Sequence, residues 1–228
     1  MLATLLQTSA RWCALGALAW PALALAPTSP HAALWSAVFV SGPEANEARG
    51  DAVLQVPRRI VDWIVLSHDN DGLPFLVIDK KAAQLHVFDA AGTFLGATPI
   101  LLGAARGDES YPGIGEKPLG AIRPEEKTTP AGRFVAERGR NLSGEDIFWV
   151  DYDAAVSLHR VRATNPRERR LERLATPTTL DNRISFGCIN VPARFYEDVV
   201  QRVLASGRGV VYVLPETRPA FTIFGYEL

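Results

Sequence analysis

The chain has 228 residues, 47% hydrophobic and 21% charged, with 24 Lys and Arg against 25 Asp and Glu. That length fits one large domain or two small ones, and the balance excludes collagen-like, coiled-coil and wholly disordered chains. A formal net charge of -1 gives no overall field for nucleic acid, and two cysteines are too few for a disulfide scaffold or a structural zinc site.

In chain order, Arg11 precedes an apolar run, RWCALGALAWPALALA, that ends in the small-residue steps Ala22-Leu23-Ala24 and Ala24-Leu25-Ala26. This is the layout of an export signal over residues 1–26, with the cut falling between about 24 and 33. An uncleaved membrane anchor is the alternative. Pro21 and the short apolar core argue against it, so no stable membrane span is expected once the signal is gone. Cleavage removes Cys13 and leaves Cys188 as the one cysteine of a chain exported to the periplasm or cell envelope. An unpaired thiol in an oxidising compartment is either buried filler or a reactive group.

Residues 27–56 mix Pro, Ala, Ser and Glu and read as a flexible lead-in, and the remaining 57–228 read as one domain. Ile60, Trp63 and Ile64 fall at helical spacing between Pro57 and Ser67. Short β-rich runs follow at 75–79, 85–88 and 93–102, separated by turn signals, and indicate antiparallel strands. His86 sits inside one of them and reads as structural; His68 reads as a helix-end residue. Residues 103–127 are rich in Gly, Pro and charge without a period, as in a functional loop, a disordered insertion being the alternative. Gly113-Ile114-Gly115 does not continue as a phosphate-binding fingerprint. Strands resume at 133–136, 145–151 and 154–160. An arginine-rich stretch, a helix over 192–205 with Phe195, Val199 and Val203 at spacing four, and a strand at 210–214 complete the chain. The pattern is mainly β with peripheral helices, an α+β fold.

The chemistry concentrates on Cys188, in Ser185-Phe186-Gly187-Cys188-Ile189-Asn190 just ahead of the helix that Pro192 opens. Backbone N–H groups leading into a helix start lower a thiol pKa, and Gly187 lets the backbone turn tightly. His159, in Ser157-Leu158-His159-Arg160 at a strand end, is the candidate base. Taken alone the pair is a weak signal, because a buried structural Cys and a core His often occur together. A papain-type peptidase places Cys before His, the reverse of this order. The histidines are scattered, with no cluster to hold a metal.

Three motifs together, Thr129-Pro130-Ala131-Gly132-Arg133-Phe134, Leu158-His159-Arg160 and Ser185-Phe186-Gly187-Cys188-Ile189-Asn190, resemble the catalytic domain of the L,D-transpeptidases, the YkuD-like family, over about residues 74–215. The resemblance implies a β-sandwich and peptidoglycan stem peptides as substrates, with no metal or cofactor. It matches Cys188 to the nucleophile, His159 to the general base and the backbone carbonyl of Arg160 to the group that orients the base. The implied reaction forms a thioester at Cys188 and releases D-Ala from a tetrapeptide stem. An amine or water then takes the acyl group, with backbone N–H groups at Gly187 and Cys188 holding the oxyanion.

The family usually has a second histidine where this chain has Phe186, so a catalytically inactive peptidoglycan-binding protein is the rival reading. Eight arginines lie from Arg160 to Arg194. Most read as ordinary surface charge, several on an amphipathic helix over 168–174. Arg183, and after it Arg160, are singled out as binding candidates, Arg183 to hold a stem carboxylate. Ser185, Asn190 and Phe186 are the other expected substrate-binding residues. Ser185 is equally open to simple turn chemistry. Tyr111 and Trp149 are read mainly as packing, with a groove lining as the alternative.

Overall fold

The structure is a computed structural model that describes residues 58–225. The export signal, Cys13 and the lead-in lie outside the described residues. A helix, Arg58–Ser67, opens the described chain and stops at His68, whose φ of 56° no longer continues it. Ten strands follow: β1 (Phe75–Asp79), β2 (Gln84–Phe88), β3 (Phe94–Pro99), β4 (Leu102–Gly103), β5 (Gly132–Arg140), β6 (Asp146–Asp151), β7 (Val156–Arg160), β8 (Arg183–Ser185), β9 (Ile189–Val191) and β10 (Arg208–Val213).

Eight of these strands form one sheet in the order β3-β2-β1-β10-β5-β6-β7-β9, while β4 and β8 pair separately. The chain is thus mostly β sheet with a few short helices. Most neighbours are antiparallel, as the sequence indicates, but β1 with β10, β7 with β9 and the separate pair β4 with β8 are parallel. The two face-packed sheets of a sandwich are not the arrangement seen. Leu101, just past β3 at one edge, exchanges backbone hydrogen bonds with Asn190 of β9 at the other, both 2.9 Å. Twist accumulated across eight strands brings the two edges together, and the sheet curls toward a barrel.

Period-2 alternation divides the apolar residues between two cores. Leu76, Ile78, Leu85, Val87, Val211 and Val213 point inward, where they meet Phe148, Leu158, Ile189 and the buried Phe195, Tyr196 and Val200. The intervening Phe75, Val77, Phe88, Val210 and Tyr212 face outward and are covered by Ile60 and Ile64 of the first helix. Burying such a side chain contributes ~1.5–3 kcal/mol. β10 lies between β1 and β5 and is apolar on both faces, which explains its unbroken Val-Val-Tyr-Val run. The helix over 193–203 contains a π-helical turn at Tyr196–Val200. With it, Tyr196 and Val200 are fully buried, and Val199 and Val203, expected on the seam, are only partly so.

One buried cluster of charge fastens the loops to this sheet. Lys80, 0% exposed, donates from Nζ to Asp108 Oδ1 at 2.7 Å, Gly107 O at 2.6 Å and Thr129 O at 2.9 Å. Arg183 donates to both carboxylate oxygens of Glu216 and to Lys80 O. Asp108 also accepts backbone N–H bonds from Glu216, Thr217 and Arg218. Burial alone would raise the Asp108 pKa; Lys80, the Thr217 hydroxyl and the backbone donors outweigh it and hold the carboxyl below the usual range. Burial pushes the Lys80 pKa down against the pull of Asp108 and Glu216.

His86 is buried at 1% exposure, and neither ring nitrogen has a hydrogen-bond partner among the described residues. Burial lowers its pKa from 6.5 to about 4. The unfolded chain therefore takes up a proton below pH 6.5 that the folded chain refuses until about pH 4. The stability tied to a neutral His86 is full above pH 6.5 and is lost as pH falls through that window. In urea unfolding, His86→Leu should gain on the wild type by about 3 kcal/mol between pH 7.5 and pH 4. A pH-independent difference would contradict the assignment. Lys80→Met should cost roughly 3–5 kcal/mol in the same assay, because it leaves buried carboxylates undercompensated; a loss under 1 kcal/mol would show that the cluster tolerates the missing cation.

Candidate active site

Strand register assembles the site. β7 and β9 pair in parallel with Leu158 opposite Ile189, His159 opposite Asn190 and Arg160 opposite Val191. Leu158, Ile189 and Val191 point into the larger core, so the alternate residues Ser157, His159, Cys188 and Asn190 share the opposite face. Ser157 Oγ lies 3.6 Å from Cys188 Sγ, and the thiol donates to Ala155 O, also at 3.6 Å. Cys188 and His159 are both half-buried.

His159 Nδ1 is 2.7 Å from the Arg160 carbonyl. A carbonyl only accepts, so Nδ1 carries the proton and the lone pair of the neutral ring sits on Nε2. That carbonyl is itself held in place. The Arg160 guanidinium bonds Asp146 Oδ1 at 2.9 Å and Glu197 Oε1 at 2.9 Å, and it stacks 4.6 Å from the Tyr196 ring centroid. Burial would raise the Cys188 pKa, but the hydrogen bond and charge of His159, followed by the Ser157 N–H and hydroxyl, outweigh it and bring the thiol below its ordinary value.

The segment carrying Cys188 is shaped by its neighbours. Thr129 Oγ1 donates to Gly187 O at 2.8 Å and accepts from Gly103 N at 2.9 Å. Gly187 has φ +134°, and a Cβ there would stand 2.8 Å from Thr128 O. At Gly103 a Cβ would meet Lys127 O at 2.4 Å. The two glycines therefore allow residues 127–129 to lie tightly between them. Thr129 belongs to a motif visible in the sequence, but its hydroxyl contact with the nucleophile segment depends on tertiary structure. Ser157 was legible only as the residue two before His159, on the same face of the strand.

Several expected binding residues have structural work instead. Ser185 is buried; its hydroxyl donates to Cys188 O at 2.7 Å and accepts from Gly187 N at 3.1 Å. The Gly187 N–H expected at an oxyanion is thus occupied, whereas the Cys188 N–H has no acceptor among the described residues. Asn190 is fully buried, donating to Cys188 O at 3.1 Å and accepting from Arg170 at 2.6 Å. Arg183, the expected carboxylate binder, is held by Glu216 with its side chain 8% exposed. Phe186 alone of this group is exposed, at 39%.

The loop over 103–127 contains three 3-10 turns, Ile114–Glu116, Leu119–Ala121 and Pro124–Glu126, rather than one irregular run. Glu126 ties it through Lys117 at 2.6 Å and Arg123 at 3.0 Å. It borders the site, since a Cβ on Gly115 would strike Asp153 O at 2.2 Å, in the turn between β6 and β7. Trp149 packs over Gly139 and against Tyr152, with ring centroids 5.2 Å apart. Among the described residues, no group of three His, Cys, Asp or Glu residues could hold a metal ion, and no helix is long and apolar enough to cross a membrane.

No family model matches the chain, and no curated protein matches it in sequence. Among solved structures it is similar to the catalytic domain of an L,D-transpeptidase from E. faecium, determined by NMR. That similarity has 17% identity and a TM-score of 0.33, covering 62% of this chain and 96% of that one.

Alkylation of Cys188 by iodoacetamide, followed against pH, should inflect below the value for free cysteine, and His159→Asn should move the inflection upward. An inflection at or above that of free cysteine would show that the imidazole does not activate the thiol.

Proposed function

We propose that the chain is a cysteine-dependent acyltransferase of the L,D-transpeptidase type, acting on peptidoglycan tetrapeptide stems in the periplasm or cell envelope after export. One observation carries the reading: strand register sets His159 on the face of Cys188, with its Nδ1–H donated to the Arg160 carbonyl at 2.7 Å and its ring lone pair left on Nε2. The motif resemblance supplies the substrate class.

In this mechanism Nε2 of His159 takes the thiol proton, and the thiolate attacks the carbonyl joining the third stem residue to the terminal D-Ala. The Cys188 N–H is the donor for the oxyanion, a type of contact worth ~3 kcal/mol. The C–N bond breaks, D-Ala leaves with the proton returned by His159, and a thioester remains. An amine of a neighbouring stem attacks the thioester and gives a cross-link; water gives carboxypeptidase action. Either attack loses a proton to His159 and restores the thiol.

Phe186 favours the second reading, a peptidoglycan-binding protein without turnover, because a phenyl ring cannot carry a proton where the family has an imidazole. D-Ala release from a purified tetrapeptide stem separates the two. The enzyme reading expects release by the wild type and a fall of about a thousandfold or more in Cys188→Ala. Equal release from both would end it, and stem binding with no release would leave the binding protein.

A further inference from the structure

Most cations near the nucleophile segment are already engaged. Arg160 is paired with Asp146 and Glu197. Arg170 contacts Glu168 and Asn190, and Arg173 caps the carbonyls of Glu168 and Asp181. Arg183 is taken by Glu216 and Lys80 O. Lys127 is different. Its Nζ stands 4.2 Å from the centroid of the Phe186 ring, and it forms no ion pair with a described carboxylate.

Both partners reach solvent, Lys127 partly and Phe186 at 39% exposure. Their position follows from the packing of residues 127–129 on the nucleophile segment. Thr128 O lies against Gly187, and the Thr129 hydroxyl bonds Gly187 O. Lys127 and Phe186 flank those contacts, so they meet at the lip of the segment that presents Cys188. A cation over an exposed ring is held weakly but directionally, while its N–H donors stay open. The ring also shields one side of the ammonium from water, which strengthens any charge-assisted bond made on the other.

We propose that Lys127 and Phe186 form a recognition site for a free carboxylate of the peptide that acylates Cys188. The proposal rests on the stem-peptide reading above. It assigns to Lys127 the role that Arg183 cannot fill, and it gives Phe186 a part that needs no proton: its ring face positions the ammonium. Two carboxylates qualify, the terminal one on the leaving residue and one on the side chain of the third residue.

The test uses Cys188→Ala protein, which binds without turnover, and three tetrapeptides: the free form, the C-terminal amide and the third-residue side-chain amide. By calorimetry at least one amide should bind about tenfold more weakly than the free form. Adding Lys127→Met should bring all three within about twofold of each other, whereas Lys127→Arg should keep most of the preference. Which amide loses affinity identifies the carboxylate. Equal binding of all three with Lys127 present, a preference that survives Lys127→Met, or no binding of any peptide would overturn the proposal. D-Ala release by the wild type reports separately on the enzyme reading. Release without a carboxylate preference removes the recognition site and keeps the enzyme, and a preference without release does the reverse.

Discussion

The buried pairing of Lys80 with Asp108 is the constraint from which the rest of the site follows. Removing two ions from water costs several kcal/mol each, and that cost is offset only where geometry and extra hydrogen bonds are good. Here both conditions are met. The Lys80 ammonium has three short acceptors, and Asp108 draws backbone N–H bonds from three successive residues. Arg183 and Glu216 add a second opposite pair, so the cluster holds two cations and two anions and its charge cancels. It fastens the end of β1, the start of the long loop, β8 and the segment after β10 to one another. Apolar side chains of equal volume would supply burial without the directional bonds that join these particular segments.

The cluster reaches the Cys188 segment through Thr129 as well as through β8, whose Ser185 donates to Cys188 O. Thr129 gives its carbonyl to Lys80 and its hydroxyl to Gly187 O. The backbone ahead of Cys188 is therefore positioned by a buried ammonium that never approaches the thiol. On the other side, parallel pairing with β7 sets Ser157 and His159 on the face of Cys188. Cys188 is thus held from two directions, by a polar anchor and by sheet register, and its side chain stays half-buried.

Local patterns made much of this legible in the sequence. Ile60 and Ile64 at helical spacing marked the first helix, and turn signals separated β1 and β2. Order and flanking residues brought Cys188 and His159 forward together. Topology was less visible: nothing local says that β10 lies parallel to β1, since that contact depends on what fills the middle of the sheet. Nothing local marks Lys80, between β1 and β2, as buried, because burial of a lysine depends on distant partners such as Asp108 and Glu216. The same blindness made Arg183 look available and Ser185 and Asn190 look like ligands. A polar side chain beside a nucleophile has identical letters whether it faces a substrate or props up the backbone.

Phe186 gains meaning from these reassignments. With Ser185, Asn190 and Gly187 N–H bonded inside the motif, the nucleophile loop keeps its shape without a second imidazole. In the proposed mechanism His159 alone would take and return the proton, both transfers falling at Nε2 while Nδ1 stays bound to Arg160 O. What an aromatic ring at the lip changes is the surface that a substrate meets: an apolar face with the Lys127 ammonium against it. On the proposed function, Phe186 therefore bears on which peptide would be held at Cys188 more than on how the thiol would be activated.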